Sequence, residues 1–272
     1  MVNLAAGYTA LGRYKDAMEM NEKALIFMKE VLGEKHPNVL TGMINLASDY
    51  TALGCYTDAM ELDEKTLALV KEVLGEKHPN TLTCMANLAM DYTNLGRYQD
   101  AVNLNKRTLA LRKEVLGEKH LDTLTSMTNL ASDYTNLGRY QEAMVLNEQS
   151  LVSKREVLGK KHPDTLTSMN NLAADYKYLG RYQDTMELDR QTLALEKEVL
   201  GKKHPDTLTS MANLAVDYSL LGRYQDAIAL NEQTMALRKE ILGEKHPNTL
   251  KSMANLAAEY SAAGRYQKAL EL

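Results

Sequence analysis

Apolar side chains in this chain fall at helical spacing, and the pattern restarts on a fixed period. In the stretch 205–243, Leu208, Met211, Leu214, Ala215, Tyr218 and Leu221 line one face of a helix. A half-buried strand would need strict alternation instead. Asp206, just after Pro205, stands where an N-cap is expected, and Gly222 where the helix would stop. A second helix follows, with Tyr224, Ala227, Ile228, Leu230, Met235, Ile241 and Leu242 on its expected buried side and Gly243 at its end. A short link through His246 and Pro247 leads to the next expected cap, Asn248. The unit is a helical hairpin, with a helix A and a longer helix B.

The hairpin recurs every 42 residues. Asn3, Asn45, Asn87, Asn129, Asn171, Asn213 and Asn255 form one column, and His36, His78, His120, His162, His204 and His246 another. Residues 159–200 and 201–242 are identical at 30 of 42 positions. Self-similarity on such a period implies a stacked array, and no strand pattern interrupts it, so the expected fold class is all-α. Ala215 and Ala227 recur between large side chains and let neighbouring helices approach closely; Thr185 replaces the alanine in the fifth unit.

The Leu214-Ala215 pair, Tyr218, Gly222, Tyr224 and Ala227 match the tetratricopeptide pattern. The 42-residue length, the Lys-Glu-Val-Leu-Gly end of helix B and the His-Pro link narrow this. The sequence resembles the tetratricopeptide arrays of kinesin light chains and light-chain-like repeat proteins, over its whole length. It carries no counterpart of the heptad coiled coil with which kinesin light chains bind their motor. The resemblance implies a right-handed superhelical α-solenoid with the A helices on its concave wall, working as a non-enzymatic protein–protein interaction scaffold. Residues 1–272 read as a single array of six periods and about fourteen helices, truncated in its first and last hairpins, and hence as a segment of a longer protein. Apolar faces at Leu4, Tyr8, Ala269 and Leu272 would then favour end-to-end self-association.

Charge and composition narrow the function classes. With 32 basic and 36 acidic residues and no basic block, nucleic acid and membrane surfaces are not expected partners. No eighteen apolar residues run together, as a membrane-spanning helix would need. Cys55 and Cys84 make no disulfide framework, which fits a reducing cytoplasm. Histidines of successive units, about 8–10 Å apart, cannot share a zinc that needs each nitrogen at about 2 Å, so a turn role is expected for them. The Gly-Lys-Lys-His stretch lacks the upstream glycine and the Ser/Thr of a phosphate loop, and no nucleophile motif occurs. No catalytic residue, cofactor or metal is therefore expected.

The candidate site is the face of helix A opposite its apolar stripe. There Asn45, Asn87, Asn129, Asn171, Asn213 and Asn255 offer donors and acceptors to an extended peptide backbone. Light-chain-like arrays hold ligand backbones with such asparagines; the alternative is that each locks neighbouring A helices together. An acidic column, Asp49, Asp91, Asp133, Asp175, Asp217 and Glu259, is expected to be structural, paired with turn arginines such as Arg97 and Arg223. The methionine column from Met43 to Met253 is expected in the core. Other columns on this face vary, and the fifth unit puts Tyr178 there, beside Lys177 and flanked by Asn170 and Asn171. Met90, Val216 and Leu220 supply apolar pockets. The expected ligand is a mixed peptide with few acidic residues. Two other readings stand beside this one: the sensor arm of a larger signalling NTPase, and a scaffold without a dedicated ligand.

Overall fold

In the computed structural model, residues 7–8 and 11–271 are described. Asn3, Leu4 and Leu272 lie outside them. The chain divides into two compact units, Met1–Leu146 and Asn147–Leu272. The first holds α1 (Tyr14–Leu32), α2 (Pro37–Ala52), α3 (Tyr56–Leu74), α4 (Pro79–Asn94), α5 (Tyr98–Leu116), α6 (Leu121–Asn136) and the start of α7 (Tyr140–Val157). The second holds the rest of α7, then α8 (Pro163–Tyr178), α9 (Tyr182–Val199), α10 (Pro205–Leu220), α11 (Tyr224–Leu242), α12 (Pro247–Ala262) and the short α13 (Tyr266–Leu270). Even-numbered helices are the A helices and odd-numbered ones the B helices. Within the first unit α1 to α6, and within the second α8 to α13, each helix packs on its sequence neighbours, and among the described residues there is no strand. The chain is an all-α succession of helical hairpins.

Helix A begins two residues earlier than the cap pattern suggested. The N-cap is the histidine, not the Asp or Asn two positions on. His204 Nδ1 accepts from the backbone N–H of Asp206 at 3.2 Å, and His246 Nδ1 from that of Asn248 at 3.1 Å. With no N–H and a helical φ, Pro205 fits the first helical position after that cap, and His120 caps in the same way before Leu121. The imidazole lone pair then serves the orphan amide that an Asx side chain usually serves. This is the turn role of the histidine column. His204→Ala should therefore lower stability by about 1 kcal/mol, and His204→Asn should restore most of it, as read from urea denaturation.

Helix A ends at Leu220, and Gly222 follows with φ +71°, a left-handed geometry that a side chain would strain. Packing follows the small residues. Ala17, Ala59, Ala101, Ala143 and Ala227 of the B helices are fully buried, as is Thr185 at the same position. Met43, Met85, Met127, Met169 and Met211 are buried in the A helices, as expected for a core column. The B-helix interface differs from expectation. Its buried stripe in α11 runs Ala227, Ile228, Asn231, Thr234, Arg238, while Ile241 and Leu242 are exposed. Buried polar side chains occupy positions that a hydrophobic reading passes over.

Candidate functional site

Those polar side chains form a ladder that joins one hairpin to the next. Asn21 Nδ2 donates to Asp49 Oδ2 at 2.6 Å, Asn105 to Asp133 at 2.7 Å and Asn147 to Asp175 at 2.6 Å, each a B-helix amide meeting the next A helix. From the other side, Thr51 Oγ1 donates to Asp91 Oδ1 at 2.8 Å, Thr93 to Asp133 at 2.6 Å and Ser219 to Glu259 at 2.8 Å, linking consecutive A helices. Tyrosine hydroxyls add a parallel rung: Tyr50 donates to Glu22 and Tyr176 to Glu148, both at 2.8 Å. A buried carboxylate with two or three donors is well satisfied.

The acidic column is thus structural, but its partners are not the turn arginines. Arg97 and Arg223 instead reach Asp100 and Asp226 three residues on, at 2.8 and 2.7 Å. Their guanidinium groups lie over Tyr92 and Tyr218, 4.3 and 4.5 Å from the ring centres. Each arginine also reaches the preceding hairpin, Arg97 Nη1 donating to Met60 Sδ at 3.4 Å and Arg223 Nη1 to Met186 Sδ at 3.5 Å, and not to the acidic column.

Three rungs depart from the rule: Asn231 is fully buried, and neither its amide nitrogen nor its oxygen has a hydrogen-bond partner among the described residues. Asp63 and Asp189 stand where the other B helices carry asparagine, so each faces a second carboxylate, Asp91 or Asp217. Burial, reinforced by the facing Asp91, pushes the Asp63 carboxyl up to about 8; Asp91 itself rises to about 6 through burial. Burial and Asp217 likewise push Asp189 up to about 8. The second pair has a counter-ion. Lys177 Nζ lies 2.6 Å from Asp217 Oδ1, in the column that holds Thr51, Thr93 and Ser219. Sequence reasoning placed Lys177 in the ligand groove; its ammonium is engaged in the stack.

The asparagines of the candidate site behave differently from those of the ladder. Asn45, Asn87 and Asn129 in the first unit are half-buried, as are Asn171 and Asn255 in the second, and Asn213 is exposed. Asn87 Nδ2 donates to Ser48 Oγ at a long 3.5 Å; the other five have no side-chain partner among the described residues. Threonine, serine and lysine link the A helices through the acidic column, and Asn87 adds its long bond to Ser48 of the neighbouring A helix. The variable columns are exposed beside it: Met90 in the first unit, and Tyr178, Val216 and Leu220 in the second. Asn170 is half-buried and donates to Glu196 of α9. Sequence reasoning missed Glu196, which is almost fully buried at a B-helix position where Arg112, Lys154 and Arg238 also lie buried.

Hairpins joined by a period-42 polar ladder, with a constant asparagine column on one face, define a helical-repeat interaction protein. The tetratricopeptide repeat family matches residues 39–114, 87–152, 122–195, 170–240 and 220–272, and a second tetratricopeptide model matches 1–38. The chain belongs to the tetratricopeptide repeat family. Such repeats are generally protein-interaction scaffolds and typically non-catalytic. A solved structure of kinesin light chain nearly identical TPR-like repeats from Podosopora anserina is 33% identical, with a TM-score of 0.70, over 75% of this chain and 97% of that one. BtubC (BKLC) from P. vanneervenii shares the fold at 19% identity and a TM-score of 0.72, over 88% of this chain and 94% of that one. A signal-transduction ATPase with a tetratricopeptide repeat sensor from Pyrococcus horikoshii shares it at 15% identity and 0.79, over 98% of this chain and 39% of that one. A comparison with curated proteins finds no match. Among the described residues no helix is long and apolar enough to cross a membrane.

Proposed function

We propose that this chain binds an extended partner segment on the exposed face of its A helices. Residues 1–272 act as one repeat array in this reading. Asn45, Asn87, Asn129, Asn171, Asn213 and Asn255 hydrogen-bond the segment's backbone. Met90, Val216, Leu220 and above all Tyr178 take its side chains. The observation that carries the reading is the contrast between two sets of asparagines. Asn21, Asn105 and Asn147 of the B helices are buried and consumed by the acidic column, whereas Asn45, Asn129, Asn171, Asn213 and Asn255 of the A helices keep their side-chain amides unspent among the described residues. An extended backbone needs one donor and one acceptor at intervals wherever it loses water, which such a column supplies. Tyr178 is 58% exposed and brings rigid area with a polar tip, the profile of an interface anchor. The two cysteines are free, in keeping with a cytoplasmic setting.

The test is affinity for peptides selected by display on the chain. Tyr178→Ala should weaken binding by about 2 kcal/mol, and Asn171→Ala by about 1 kcal/mol. Glu187→Ala, on the B-helix side where its carboxylate meets Arg190 at 3.0 Å, should leave affinity unchanged. Equal losses from all three would exclude the A-helix face as the binding surface.

A further inference from the structure

Between α8, α9 and α10 lies a cavity of about 520 Å³ whose walls carry two acids and no base. Leu166, Val199 and Leu200 make its apolar side, and Asn170, Asn213 and Glu196 its polar side. Glu196 is only 2% exposed, and its Oε2 has no hydrogen-bond partner. Burial raises its carboxyl, which Ser210 and Asn170 partly offset by donating to it. An ionised carboxylate left short of donors in a dry site is costly.

The repeat itself shows what is missing. At the matching position Arg112 Nη1 donates to Ser126 Oγ at 2.8 Å, Lys154 Nζ to Ser168 Oγ at 2.8 Å, and Arg238 Nη1 to Ser252 Oγ at 2.8 Å. Those hairpins fill the site with their own cation. The fifth unit keeps the serine, Ser210, but replaces the cation with an anion and leaves a cavity. We propose that this cavity takes a lysine or arginine side chain from the bound partner segment, with Glu196 holding its charged head and Leu166, Val199 and Leu200 its aliphatic stem. The inference rests on the reading that the A-helix face holds such a segment, because Asn213 lines both. A long basic side chain suits the site: its stem buries along apolar wall while its head finds charge.

The experiment is peptide display selection on the whole 272-residue chain, followed by affinity measurement on the variants Glu196→Gln, Glu196→Arg and Asn171→Ala. Selected peptides should carry lysine or arginine at one fixed position. Each should bind Glu196→Gln roughly 10- to 100-fold more weakly, the worth of a hydrogen bond to a charged group. Replacing that lysine by norleucine should cost as much in the parent chain and nothing further in Glu196→Gln. Glu196→Arg would restore the arrangement that Arg238 makes with Ser252, so it should fold, and a melt by circular dichroism checks this. It should lose the basic preference. Peptides that bind Glu196→Gln and Glu196→Arg as tightly as the parent chain would overturn the proposal. Peptides without basic preference that still need Asn171 would overturn it and leave the A-helix reading standing. Peptides indifferent to all three variants would remove both.

Discussion

Asp63→Asn should stabilise the protein by about 2–4 kcal/mol at pH 8.5 and by much less at pH 5. Asp63 is 1% exposed and faces Asp91, with Thr51 donating to Asp91 from the other side and the Cys84 thiol nearby, itself pushed up to about 12 by burial and by Asp63. Because its folded-state value, about 8, lies above the ordinary carboxylate value, its contribution to stability is complete below about pH 4 and is lost as pH rises through 8. The parent chain should therefore weaken from pH 5 to pH 8.5, and the variant should lose most of that slope. Its amide would donate to Asp91 as Asn21 donates to Asp49. Asp189→Asn should gain less, about 1 kcal/mol, because Lys177 already sits on Asp217. Urea melts at the two pH values decide the matter. An Asp63→Asn variant that is destabilised, or that keeps the parent's slope, would show that the facing carboxylates are not the source.

Met211→Ala should cost about 2–5 kcal/mol. Its side chain is wholly buried among Met186, Leu193, Leu208 and Leu214. Contacts in a repeat stack run mainly between neighbours, so the damage should remain local at first. Native-state hydrogen exchange should accelerate in α9, α10 and α11 before it accelerates in α12. Uniform acceleration over 147–272 would contradict the nearest-neighbour account, and a loss below about 1 kcal/mol would contradict tight packing at this methionine.

The hairpins, their period and the exposed face of helix A were legible because apolar spacing, glycine positions and the column structure all point the same way. Val216 and Leu220 are exposed where the 100° projection puts them. The histidine cap was obscured because the Asp or Asn after each proline is the commoner capping residue. The ladder was obscured for a different reason. Asn105, Thr108 and Arg112 read as surface residues by polarity, yet they sit at three- and four-residue steps on the inner stripe of α5. That helical spacing within constant or near-constant polar columns was the available signal. Glu196 and Asp63 then stand out as the places where a column changes its charge.

The most direct test of the account separates the two classes of asparagine in one spectrum. With selective ¹⁵N-asparagine labelling, a saturating display-selected peptide should shift the side-chain amides of Asn171 and Asn213. The amides of Asn21, Asn105 and Asn147, held on buried carboxylates, should stay in place. Saturation that leaves the A-helix amides unmoved would contradict the assignment of this face as the binding surface.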